Sequence, residues 1–130
     1  MRILDTDICI AILRGHTGII ERRRHTLDRV VTTWITAGEL FYGAAKSRDP
    51  IGNKKLVERF LETLPILSLD IIAAQFFGVL KAALEAEGRR LADADLWIGA
   101  TGRAHRATVV TGNTRHFDRI AGLQLENWTT

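Results

Sequence analysis

Four stretches of this chain set an acidic or amide side chain beside an apolar run. They are Ile3-Leu4-Asp5-Thr6-Asp7, Ile35-Thr36-Ala37-Gly38-Glu39-Leu40, Asp93-Ala94-Asp95-Leu96-Trp97-Ile98 and Val109-Val110-Thr111-Gly112-Asn113. A fold gains no stability by gathering carboxylates, because like charges raise one another's pKa and resist ionisation. Where carboxylates do meet, the usual partner is a divalent cation bound through oxygen, and Mg²⁺ or Mn²⁺ suits such a set. The chemistry these residues suggest is a pocket that holds an ion and cuts phosphodiesters.

Each residue also has a plainer reading. Asp5 could cap the first helix, a role Asp fills well, and Asp7 then falls in that helix's first turn. Thr36-Ala37-Gly38-Glu39 has the spacing of a capping box, in which Thr36 bonds forward and Glu39 reaches back. Asp93 is the better N-cap of the third stretch, which leaves Asp95 inside the helix and pointing at the sheet edge. Asn113, after Gly112, fits a simple turn. The four gain weight together only if the fold brings them to one edge.

The elements that would position them follow from apolar periodicity. Residues 2–4 form a first strand that feeds a helix over 7–14, ended by Gly15. A second helix covers 18–28, and β-branched Val30-Val31-Thr32-Thr33 makes the second strand. Helices follow over 35–47 and 51–64, separated by the Arg48-Asp49-Pro50 turn. Residues 65–69 make a short strand, and Asp70 caps a long helix that runs to Glu87 and stops at Gly88. Another helix spans 93–105, a strand 108–111, a helical turn 114–117 and a last strand 123–126. Strand-length runs alternating with helices argue for an α/β fold with a mainly parallel sheet. In such sheets ligands bind outside the carboxyl ends of the strands, where Asp5, Glu39, Asp95 and Asn113 can all converge.

Composition narrows the function classes. The chain has 130 residues, enough for one domain over 1–130, with 46% hydrophobic and 25% charged residues, an ordinary globular balance. Its one cysteine, Cys9, lies in an apolar run and reads as a small buried hydrophobe, so neither a disulfide framework nor a zinc site is expected. His16, His25, His105 and His116 show no metal spacing, no Ser or Cys sits in a nucleophile elbow, and no glycine-rich phosphate loop is present. No apolar run nears the roughly 20 residues that span a bilayer, and no signal-peptide pattern opens the chain, so a cytoplasmic protein is expected. Net charge is only +3, but arginines cluster in Arg22-Arg23-Arg24 and continue at Arg89, Arg90, Arg103, Arg106, Arg115 and Arg119. Such cations attract a phosphate backbone, or simply solvate helix faces.

At this point the residues resemble a known family. The four stretches above, the second extended through Phe41-Tyr42-Gly43-Ala44, the third from Ala92 through Gly99-Ala100-Thr101 and the fourth through Thr114-Arg115-His116-Phe117, resemble PIN-domain proteins of the VapC toxin group. The likeness runs in order along nearly the whole chain. It implies a PIN-like three-layer α/β/α sandwich and a Mg²⁺- or Mn²⁺-dependent endoribonuclease, the toxin of a toxin–antitoxin pair. It implies further a homodimer, no membrane association, and inhibition by a VapB-type antitoxin that inserts a C-terminal segment into the active-site groove. Carried over by position, Asp5, Glu39 and Asp95 match the principal acidic residues, with Asp5 and Asp95 as metal ligands. Asn113 matches a fourth position where Asp is common, and the lost charge weakens any second metal. Thr111 matches a hydroxyl that steadies a carboxylate or water, and Asp93, Asp7 and Arg115 stand close enough to assist. A catalytically silent PIN-fold module that only holds RNA is the alternative, and the intact acidic residues count against it. A receiver-like signalling domain is poorly supported, because Thr-Gly-Asn stands where a Lys is wanted.

Overall fold

Strand and helix alternate along the chain as the apolar pattern predicts. The computed structural model describes residues 1–130. Its first half runs β1 (Arg2–Leu4), α1 (Thr6–Leu13), α2 (Thr17–His25), β2 (Val30–Thr33), α3 (Trp34–Ala45), α4 (Pro50–Leu61) and β3 (Ile66–Leu67). The second half runs α5 (Ile71–Ala86), α6 (Asp93–His105), β4 (Thr108–Val110), α7 (Thr114–Phe117) and β5 (Gln124–Glu126). The five strands form one sheet in the order β3-β2-β1-β4-β5, every pair parallel. β1 is central, with Ile3 opposite Val31 on one side and Val109 on the other.

Side-chain alternation fixes the layers. Successive residues of a strand face opposite ways, so Ile3 and Val109 enter one core while Leu4 and Val110 enter the other. The first core is closed by Leu80 and Leu84 of α5 and Leu96, Ile98 and Ala100 of α6. The second is closed by Ile8 and Cys9 of α1, Ile19 of α2, Leu40 and Ala44 of α3, and Val57 and Phe60 of α4. The result is the expected α/β/α sandwich. Cys9 is fully buried, and burial pushes its thiol up to about 12, so it behaves as the small hydrophobe its surroundings predicted. No helix is long and apolar enough to cross a membrane.

Several boundaries differ from expectation, each for a local reason. α3 begins at Trp34 because Thr33 caps it, its hydroxyl accepting from the Thr36 amide at 3.1 Å. The Thr36–Glu39 capping box therefore does not form. α2 is shorter than 18–28: His16 Nδ1 accepts from the Ile19 amide to start it, and the Thr26 hydroxyl donates to the Arg22 carbonyl to close it. β3 pairs over two residues rather than five, since Asp70 must turn back to cap α5 by accepting from the Ala73 amide. The N-cap of α6 is Ala92, not Asp93; Asp93 is the first helical residue, and its carboxylate meets Lys81 Nζ at 3.0 Å.

Candidate active site

The carboxyl ends of β1 and β4 lie side by side, and Asp5 follows directly from β1. Its Oδ1 accepts from the Thr6 amide at 2.8 Å, which caps α1, while its Oδ2 accepts from the Thr111 hydroxyl at 2.8 Å. Capping and site membership are therefore compatible, one for each oxygen. Asp5 is only 6% exposed, and no Lys or Arg pairs with it. Burial, then the charge of Asp7, push its carboxyl up to about 7. Two acids are being held together without a compensating cation.

Asp7 is held by the loop after β4. Its Oδ2 accepts from the Gly112 amide at 3.0 Å, and a Cβ at position 112 would stand 2.9 Å from that same oxygen. A side chain there would push the Asp7 carboxylate away from the Gly112 amide. Thr111 is fully buried and works twice, since its hydroxyl also accepts from the Asn113 amide at 2.9 Å. Asn113 sits at the N-cap position of α7, yet its side chain makes no capping bond and is exposed.

Glu39 reaches the same edge from α3. Its Oε1 accepts from the Thr6 hydroxyl at 2.6 Å, and that hydroxyl also lies 3.0 Å from the hydroxyl of Thr36. Asp95 comes from the first turn of α6, where the helix dipole favours a carboxylate. Burial raises its pKa; His116 opposes that rise, while Glu39 and Asp7 add to it. His116 Nδ1 lies 3.2 Å from Asp95 Oδ2, so α7 is stapled to α6 across the site whenever the imidazole is protonated.

The structure thus brings together Asp5, Asp7, Glu39, Asp95, Thr111 and the Asn113 backbone. Asp93 is turned to Lys81, and Arg115 is exposed on α7. Sequence reasoning missed Thr6, Thr36 and His116. Thr6 stood between two aspartates, which was its one signal, whereas nothing in the spacing tied His116 to Asp95. No three His, Cys, Asp or Glu side chains form a ready-made ligand cluster. The donor set is nonetheless all oxygen, anionic and without a basic partner against Asp5, Asp7 or Glu39, which suits a hard divalent cation. From Thr6 and Glu39 a cavity of ≈ 520 Å³ runs between α1, α3 and α4, lined by Ile10, Leu13, Leu56 and Val57 and flanked by Arg14 and Lys46.

Comparison with known proteins gives a consistent picture. The PIN domain model matches residues 2–123. The chain is 34% identical over 128 residues to the tRNA(fMet)-specific endonuclease VapC of Shigella flexneri, covering 97% of this chain and 96% of that protein. It is 36% identical over 126 residues to ribonuclease VapC2 of Haemophilus influenzae, covering 96% of both. Among solved structures, VapBC2 of Rickettsia felis bound to a DNA fragment from its promoter superposes with a TM-score of 0.92 at 30% identity, covering 98% of each chain.

Proposed function

This chain belongs to the PIN-domain family, and from that premise we propose that it is an endoribonuclease toxin of the VapC type, hydrolysing RNA phosphodiester bonds under the control of a VapB-type antitoxin. The observation that carries the reading is the meeting of Asp5, Asp7, Glu39 and Asp95 at one sheet edge, with Asp5 buried and unpaired by any base.

Asp5 and Asp95 are the residues that would hold Mg²⁺ or Mn²⁺, with Glu39 close enough for its charge to raise the pKa of Asp95. A divalent cation there supplies Lewis acidity, polarising a phosphoryl oxygen and making water a better nucleophile near neutral pH. The chain's own residues do the rest. Thr111 fixes the orientation of Asp5, and Gly112 fixes Asp7. Arg115, exposed on α7 next to His116, would help draw in the phosphate backbone. No covalent enzyme intermediate is required by this reading.

Two partner surfaces fit this reading. The groove between α1, α3 and α4 opens on Glu39, so a segment of antitoxin laid along it would reach the acidic residues. Ile72 and Val79, two turns apart on α5, are 46% and 71% exposed and suit a second copy of the chain. We place the protein in the cytoplasm, beside its RNA.

Metal-stripped wild type and Glu39→Gln test the activity together. Wild type should cut RNA only when Mg²⁺ or Mn²⁺ is restored and should stop with EDTA. Glu39→Gln should lose activity by orders of magnitude while its melting temperature stays within about 3 °C of wild type, because Gln still accepts from Thr6. Full cleavage by stripped protein, with contaminating nuclease excluded, would sink the proposal.

A further inference from the structure

Thr6 carries one hydroxyl proton, and the structure shows where it goes. At 2.6 Å from Glu39 Oε1, an acceptor when ionised, the hydroxyl donates to the carboxylate. It can then only accept from Thr36, whose hydroxyl lies 3.0 Å away in a fully buried position. Proton counting thus gives the chain a direction: Thr36 donates to Thr6, and Thr6 donates to Glu39. Glu39 Oε2 takes no hydrogen bond from the protein. A hydroxyl that donates while accepting is a stronger donor than an isolated one.

We infer that Thr6, backed by Thr36, is a positioning residue that ties up Oε1 of Glu39 and presents Oε2 alone to the pocket. Glu39 then meets a cation, or a water beside it, through one oxygen only. This rests on the nuclease reading above. Groups that orient a ligand from behind influence metal affinity and activity by about 10–100-fold. Thr6 suits the task because its backbone is already committed: its amide donates to Asp5 Oδ1, so one residue joins the two acidic positions, through its main chain to Asp5 and its side chain to Glu39. Thr36 is equally fixed, its amide held by the Thr33 hydroxyl.

Thr6→Val, Thr6→Ala and Thr6→Ser separate the relay from a packing role. Val keeps the size without the hydroxyl, Ala removes both, and Ser keeps the hydroxyl alone. None touches the amide bond to Asp5. Two measurements are made on each variant: binding of Mn²⁺ alone to metal-stripped protein, and kcat and KM on an RNA oligonucleotide that wild type cuts. Val and Ala should each raise the Kd for Mn²⁺ and lower kcat by about 10–100-fold with KM little changed. Ser should return both within about threefold of wild type, a rescue that lost packing would not show. If Val folds poorly, Ala and Ser decide alone, since both are tolerated at a first helical position. Val and Ala variants that bind Mn²⁺ and cut RNA like wild type, while Glu39→Gln does not cut, would overturn the relay and leave the nuclease standing. A Glu39→Gln protein as active as wild type would overturn both.

Discussion

Asp5 faces opposite demands in folding and in function. Its raised pKa means that the folded protein holds a proton more tightly than the unfolded chain between pH 3.8 and about 7. The sign follows directly: in metal-free protein, stability falls as pH climbs through that window, and the whole cost is present above it. Asp5→Asn should therefore melt higher than wild type at pH 8.5 in EDTA, by roughly 5 °C, and lose that advantage at pH 4, while abolishing cleavage. Thermal melts of both proteins at the two pH values check this. Asn113 supports a second test. An exposed side chain making no capping bond is free to face a cation, so Asn113→Asp should lower the metal concentration for half-maximal cleavage and Asn113→Ala should raise it. Three superimposable titrations would remove Asn113 from the site. The acidic residues stood out in the sequence because an acid set beside an apolar run is unusual and recurs in three stretches, with the amide Asn113 in a fourth. Of their hydroxyl partners, Thr111 was reached through the family resemblance and does donate to Asp5, whereas Thr6 and Thr36 look like ordinary helix-start residues until tertiary contacts place them.

At the scale of elements, the sequence predicted existence better than ends. Every strand and helix expected from periodicity is present, because both faces of the sheet demand apolar residues in period two and each helix demands them in period 3.6. The ends were decided by competition among caps. Thr33 outbid Thr36 for the start of α3, and His16, an uncommon cap, was invisible beside the arginine-rich helix it begins. Glycines inside helices make the same point with opposite signs. Gly78 is exposed on α5 with open space around it, so Gly78→Ala should stabilise by about 1 kcal/mol through helix propensity. Gly102 on α6 faces Leu123 and Val109, whose methyls would stand 2.8 and 2.9 Å from an added Cβ. Gly102→Ala should therefore destabilise despite the same propensity gain, with overpacking of roughly 1–3 kcal/mol prevailing. Denaturant melts of the two variants should move in opposite directions.

At the scale of the whole molecule, both ends of the chain are tied to the sheet by charge. The Met1 amine lies 2.6 Å from Asp28 Oδ2 and Arg2 lies 2.5 Å from it, while Glu126 beside the last strand receives Arg2 and the Trp128 indole. The hydrogen bond from the N-terminal amine, more than any other contact, holds the Asp28 carboxyl down near 2. A depressed acid stabilises above its unfolded value and loses that contribution as pH falls, so the difference in melting between wild type and Asp28→Asn should vanish between pH 4 and pH 2. A difference that persists at pH 2 would assign the Asp28 effect to something other than charge. The same long reach of contacts has a consequence in time. Asp5 and the hydroxyl that orients it are 106 positions apart, and the strand leading to Thr111 must slot in beside β1 before they meet. At about 5–20 residues per second, Thr111 is synthesised roughly 5–20 s after Asp5. Throughout that interval a growing chain carries the acids without the contact that orients Asp5, so the site takes shape only when most of the chain has been made.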